Sequence, residues 1–205
     1  MPKKTSPASD ALETYREKRD FQQTPEPAPK KSKTKRKEPL FVVQMHDATR
    51  LHWDFRLEID GVLKSWAVPK GPSGNPRDKR LAVLTEDHPL EYAGFEGVIP
   101  EGNYGAGPVL LWDLGTYTND SARHGQERTM AEAFAQGHIL IWLNGQKLKG
   151  GYALIHSAMG GEQKNWLLIK ESKDAEMDPK EDLVKTRPES VLSGKKIDEL
   201  QPEKD

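Results

Sequence analysis

The chain, 205 residues long, has no cysteine. Disulfides, thiolate nucleophiles and sulfur-ligated zinc are therefore excluded, and any metal must sit on histidine and carboxylate. Long apolar runs are missing too. None approaches the ~20 residues of a membrane helix, and the opening MPKKTSPASD has no signal-peptide core. No membrane partner and a cytoplasmic location are expected. The motifs of several enzyme classes are also lacking: no Gly-x-Ser-x-Gly of a serine hydrolase, no Gly-Lys-Ser/Thr of a phosphate-cradling loop, no dinucleotide fingerprint. Hydrophobic residues make up 35% and aromatics 7%, enough for one domain with disordered flanks.

The net charge of −1, from 31 basic and 32 acidic side chains, conceals an uneven distribution. Residues 1–40 carry 11 basic and 6 acidic groups, six prolines and the run Lys30, Lys31, Lys33, Lys35, Arg36, Lys37. That is the composition of a flexible cationic arm, suited to solubility or to contact with nucleic acid. Residues 171–205 carry 7 basic and 11 acidic groups and no aromatic, which predicts a disordered tail. All five tryptophans and 16 of the 17 glycines fall in residues 41–170, where the packed domain must lie.

Within that span short apolar runs are separated by turn residues. Phe41–His46, Leu51–Ile59, Val62–Val68, Leu81–Glu86, Val109–Leu114, Ile139–Leu143, Tyr152–His156 and Trp166–Ile169 read as strands. Asp60-Gly61 and Asn144-Gly145 are hairpin signals, and only Arg128–Gln136 reads as helix in the core. Many short strands with Gly-rich turns predict a mainly β fold, an antiparallel barrel or sandwich. Gly94–Gly107 reads as a structural turn system.

In Leu51–Ile59 the residues Leu51, Trp53, Phe55, Leu57 and Ile59 share one face, and His52, Asp54, Arg56 and Glu58 the other. On the preceding strand His46 shares its parity with Gln44, and the link Asp47-Ala48-Thr49-Arg50 can fold the two strands into a hairpin that sets His46 beside His52. Two imidazoles and a carboxylate then converge, a ligand set for Zn, Mn or Fe, and Arg56 adds a forked donor matched to phosphate. Glu86-Asp87-His88-Pro89-Leu90-Glu91-Tyr92 places another histidine among acids at a strand end. Lys70 and Arg80 are cations at element ends. His124, His138 and His156 stand singly in the sequence. Ligand logic alone leaves three readings open: metal-assisted phosphoryl chemistry, a non-haem Fe(II) oxygenase with a His-x-Asp facial triad, and a non-catalytic nucleic-acid-binding barrel.

The stretch Phe41-Val42-Val43-Gln44-Met45-His46-Asp47-Ala48-Thr49-Arg50-Leu51-His52-Trp53-Asp54-Phe55-Arg56-Leu57-Glu58 resembles the 3′-phosphoesterase domain of bacterial DNA ligase D. The resemblance continues through Ser65–Pro72, Thr85–Tyr92 and Phe95–Gly105 to Trp166–Ile169, and reaches upstream to Tyr15-Arg16, Lys18–Phe21 and Thr24–Pro27. It implies a compact antiparallel β-barrel with one or two short helices and flexible charged termini. The expected organisation is a disordered basic N-terminus at 1–14, the phosphoesterase domain at 15–170 with its barrel at 40–170, and a tail at 171–205. The implied activity is Mn2+-dependent, with Zn2+ or Co2+ able to take its place: removal of a 3′-terminal ribonucleoside and then of the 3′-phosphate from the primer strand of a DNA primer-template, leaving a 3′-hydroxyl.

Carried over residue by residue, the resemblance makes His46, His52 and Asp54 metal ligands, and Arg56 and His88 the groups that hold the scissile phosphate. Lys70, Arg80 and Tyr92 join that pocket, Gln44 and Glu86 support it, and Arg19, Asp20 and Glu26 bring the N-terminal segment over the site. A stand-alone form working in end joining with a separate DNA ligase and an end-binding protein, in a bacterial or archaeal cytoplasm near the nucleoid, is the expected setting.

Overall fold

The computed structural model describes residues 11–30, 36–157, 164–172 and 177–200. Nine strands follow in chain order: β1 (Leu40–Asp47), β2 (Leu51–Ile59), β3 (Val62–Val68), β4 (Arg80–Leu84), β5 (Gly97–Ile99), β6 (Gly107–Asn119), β7 (His138–Gly145), β8 (Lys149–His156) and β9 (Asn165–Lys170). Their neighbour order, β1-β2-β3-β4-β9-β8-β7-β6 with β6 returning to β1, closes an eight-stranded antiparallel barrel, and β5 adds a strand on β6. Closure leaves the barrel strands no open edge to aggregate through. Among the described residues three short α-helices accompany it: α1 (Glu13–Glu17), α2 (Met130–Ala135) and α3 (Leu183–Thr186). The one helix read from the core sequence is α2, started by a capping box between Thr129 and Glu132. Among the described residues no helix is long and apolar enough to cross a membrane.

The β2–β3 hairpin turns at Asp60 and Gly61, with φ of 51° and 80°, the paired positive values a two-residue primed turn demands. The second hairpin signal is displaced. Asn144 still pairs with Lys149 inside the ladder, and the turn lies at 146–148. There the Asp113 carboxylate accepts the amides of Gln146, Lys147 and Leu148 at 2.9, 3.0 and 2.8 Å. A buried side-chain acceptor, not a positive-φ pair, shapes this turn.

Alternation divides each strand into an inner and an outer face. Phe41, Val43 and Met45 of β1, Trp53, Phe55, Leu57 and Ile59 of β2, and Trp66, Trp112 and Trp166 fill the barrel. Leu51, read with this face, is instead 41% exposed at the strand's start. On the outer side a second apolar cluster joins Val42, Leu63 and Leu111 to Leu90, Tyr92, Leu12 and Tyr15. The N-terminal segment is thereby packed on the barrel wall. This corrects the expectation of disorder through residue 14: Leu12 is buried and α1 begins at Glu13. Residues 1–10, and Lys31, Lys33 and Lys35 of the basic run, lie outside the described residues.

A larger correction concerns the tail. Residues 177–200 are packed: Leu183 is buried in the main core, Val191 N–H donates to Leu111 O at 2.9 Å, and Trp112 Nε1–H donates to Arg187 O at 2.8 Å. Lys147 Nζ donates to the carbonyls of Arg187 and Glu189, and burial pushes its ammonium down to about 8. Composition misleads because the segment needs no core of its own; it borrows Trp112 and Lys147. Deleting residues 177–205 should cost about 3 kcal/mol or more, from lost burial of Leu183 and the acceptors stripped from Trp112 and Lys147. Calorimetry should then record a fall in Tm of order 10 °C, and a shift below about 2 °C would contradict this packing.

Candidate active site

The outer face of β1 and β2 carries the polar residues that alternate with the core. In the ladder His46 stands directly opposite His52, and Gln44 opposite Asp54. The four-residue link thus makes the hairpin expected from the sequence, with the imidazole centroids 5.0 Å apart. His46 Nδ1 lies 3.7 Å from Asp54 Oδ2, and His52 Nε2 lies 3.5 Å from Asp54 Oδ1. Ligand atoms about 2.0–2.2 Å from a common ion stand about 3–3.6 Å apart, so the three side chains match a divalent cation.

The backbone orients both rings for that purpose. His46 Nε2 meets the Gly105 carbonyl at 2.8 Å, and His52 Nδ1 meets the Arg50 carbonyl at 2.9 Å. A carbonyl oxygen only accepts, so each of these nitrogens carries the proton and each imidazole turns its lone pair, His46 Nδ1 and His52 Nε2, toward Asp54. Burial alone would raise the Asp54 carboxyl, but the Arg56 guanidinium holds it well below the ordinary carboxylate range. For His52, burial opposes the charged form and the Asp54 carboxylate outweighs it, raising the imidazole.

Beside these three side chains Arg56 is almost fully engaged. Its Nε donates to Gln44 Oε1 at 2.9 Å, Nη1 to Ser65 Oγ at 2.8 Å and Nη2 to Asp54 Oδ2 at 2.9 Å, while Nη1 also stands 2.9 Å from His88 Nδ1. One N–H on Nη2 remains for a substrate oxygen. Gln44 is fixed in turn by donating to the carbonyls of Tyr92 and Phe95. Burial, then Arg56 and Arg19, hold the His88 imidazolium well below its usual range. The ring is neutral, and its Nδ1 also stands 3.0 Å from Glu86 O. Tyr92 packs edge-on against His88, with the Arg56 guanidinium 5.0 Å from its ring centre.

The N-terminal segment roofs this group. Arg19 Nε donates to Glu26 Oε1 at 2.8 Å and Nη1 to Glu86 Oε1 at 2.6 Å, while Nη2 stands 3.4 Å from His88 Nε2. Tyr15 Oη donates to Pro27 O at 2.9 Å, tying the segment's two ends together. Beneath the roof is a cleft of about 420 Å³ lined by Arg19, His46, His52, Asp54, Arg56, His88 and Tyr92, among others.

Three of the expected site residues stand apart. Lys70 is exposed and does not line the cleft, because the Val68–Gly71 turn carries the chain off the end of β3. Arg80 opens β4 and donates to Asp78 at 2.9 Å, beside a separate cavity. Asp20 is exposed and closes the turn at residues 20–24, accepting from Gln22 N–H and Gln23 Nε2. Sequence reasoning missed Ser65, which accepts from Arg56 and lies on the same outer face, two residues before Ala67; strand parity was the available signal. It also treated His124 as solitary, whereas the ring stands 3.5 Å from Asp120 and 3.2 Å from Glu171. Arg123, 3.4 Å from Asp120, competes there for the carboxylate.

With this geometry in place, comparison with known proteins is direct. The family model described as the DNA Ligase D 3′-phosphoesterase domain matches residues 44–156. The multifunctional non-homologous end joining protein LigD of Pseudomonas aeruginosa is 51% identical over 191 residues, 91% of this chain and 22% of that protein. Its counterpart in Mycolicibacterium smegmatis is 45% identical over 83% of this chain and 22% of its own length. The LigD of Mycobacterium tuberculosis is 46% identical over 82% and 21%. The chain spans about a fifth of the length of these relatives. A family match across more than half of the sequence, running from Gln44 through His46, His52 and His88 to the end of β8, makes the chain a member of the DNA ligase D 3′-phosphoesterase family.

Proposed function

We propose that the protein is a metal-dependent phosphoesterase that processes DNA 3′ ends in non-homologous end joining, removing a 3′-terminal ribonucleoside and then the 3′-phosphate. The observation that carries this reading is the pair of imidazoles held by the Gly105 and Arg50 carbonyls with their free nitrogens turned to Asp54, in a cleft that also holds Arg56, His88 and Arg19. Membership of the family and the names of the relatives support the substrate.

His46, His52 and Asp54 would hold the cation, for which we propose Mn2+ with Zn2+ or Co2+ as substitutes. A divalent ion there supplies Lewis-acid stabilisation of charge on the phosphoryl group. Arg56 Nη2 gives its remaining N–H to a phosphoryl oxygen, and the bonds to Gln44, Ser65 and Asp54 fix its direction. His88, neutral, lines the same cleft and contacts that group. Arg19 keeps positive charge above the cleft, and its ion pairs with Glu26 and Glu86 hold the roof closed over the reacting atoms. Expelling water strengthens each of these contacts. The 3′-hydroxyl product is the end a ligase requires, so a separate ligase and an end-binding protein are the proposed partners.

A 5′-labelled primer annealed to a template with a 5′ overhang, its 3′ end a single ribonucleotide, tests the reading. With Mn2+ the primer should shorten to a 3′-phosphate and then lose that phosphate, internal linkages staying intact, and EDTA should stop both steps. Binding without any change to the 3′ end would instead indicate a non-catalytic barrel. Oxidation of a small co-substrate with Fe2+ would indicate an oxygenase.

A further inference from the structure

We infer that Tyr104 forms a nucleobase-binding subsite at the mouth of the cleft, receiving the base of the 3′-terminal ribonucleoside; the inference rests on the function proposed above. Of the four large apolar side chains left exposed among the described residues, Tyr104 is the only aromatic, at 54% exposure. It lines the catalytic cleft and also a neighbouring groove of about 550 Å³, which share Thr85, Glu86 and Tyr104. The phenol ring therefore stands where the two spaces meet.

The loop that presents it is tied to the metal ligands. Gly105, the next residue, gives its carbonyl to His46 Nε2, so the Tyr104 Cα stands one step, about 3.8 Å, from that of the residue that orients a metal ligand. Gly107 fastens the loop's far side: with φ of 134°, a Cβ there would lie 2.1 Å from Asp47 O, the backbone just after His46. The loop read from the sequence as a mere turn system is thus a rigid mount.

Chemistry points the same way. Lys18 Nζ sits 4.3 Å from the centre of the Tyr104 ring and is itself paired with Glu86, while the Arg19 guanidinium is 5.7 Å from that centre. Cations against an aromatic at the exit of a phosphate pocket match a nucleotide: charge for the phosphodiester, a π-face for the base. The two hydrolytic steps differ in this respect. When the ribonucleoside is removed a base lies beyond the scissile phosphate; when the 3′-phosphate is removed nothing does. Tyr104 should therefore act on the first step selectively.

The test compares Tyr104→Ala with Tyr104→Phe on primers ending in a ribonucleotide, in an abasic ribose and in a 3′-phosphate, with Mn2+. Stacking on one base is worth about 1–3 kcal/mol, so in Tyr104→Ala the ratio of ribonucleoside removal to phosphate removal should fall about tenfold. Tyr104→Phe should keep the ratio. The abasic primer should lose the same factor with the unaltered enzyme and nothing further with Tyr104→Ala. A ratio within twofold of the unaltered enzyme's, or equal slowing of both steps, overturns the subsite while leaving the proposed function standing. An unaltered enzyme that removes neither group overturns both.

Discussion

His52→Ala should reduce ribonucleoside removal and phosphate removal alike to the background without enzyme, while the protein stays as stable as before. His52 is half-buried on the outer face and contributes nothing to the barrel interior, so its loss should move the unfolding free energy by no more than about 0.5 kcal/mol. Its Nε2 is one of three donor atoms that lie within 4.8 Å of one another, and the two remaining donors would hold a divalent ion poorly. Asp54→Asn is the companion: the amide oxygen still accepts from Arg56, so the buried guanidinium stays partnered, but the negative charge is gone. Calorimetric titration with Mn2+ should show no binding by either variant. Either variant turning over within tenfold of the unaltered protein would show that the ligands are misassigned.

Arg19→Ala should lower the saturated rate of at least one step by tenfold or more. The guanidinium is the shared partner of Glu26 and Glu86, whose side chains are 0% and 5% exposed. Removing it leaves Glu26 without its cation and Glu86 with Lys18 alone, and breaking a buried pair in this way costs about 3–5 kcal/mol. That cost falls on the attachment of the segment, because Arg19 touches no residue of the barrel interior. Global Tm should change little while protease cleavage between residues 15 and 30 accelerates. Asp20→Ala, at an exposed turn, should leave the chemistry within twofold. Saturated rates of both steps within twofold for Arg19→Ala would reduce the segment to an electrostatic arm.

What could be read from the sequence, and what could not, divides along physical lines. Period-two alternation in Leu51–Ile59 gave both the strand and the set His52, Asp54, Arg56, because the same parity decides burial and the direction of the polar groups. A four-residue link was enough to place His46 opposite His52. Alternation says nothing about loops, and so Lys70 and Arg80, at element ends, could not be positioned. Nor does composition reveal borrowed partners: Arg187 and Leu183 order the C-terminal segment through Trp112 and the barrel core, residues far away in the chain. The N-terminal segment was placed over the site only by the family resemblance, since a short stretch of mixed charge carries no periodicity.

Because the apolar filling of the barrel and the chemical groups occupy alternate positions of β2, substitutions and length changes should have unlike histories there. Point replacements at His52, Asp54 or Arg56 address one side of the wall and can be sampled singly. An insertion or deletion of one residue between Leu51 and Ile59 would exchange the two sides for every strand residue beyond it, turning core side chains to the cleft and polar ones inward. This nine-residue strand should therefore tolerate drift in identity and almost none in length, and its spacing, more than its composition, is the heritable record of the site.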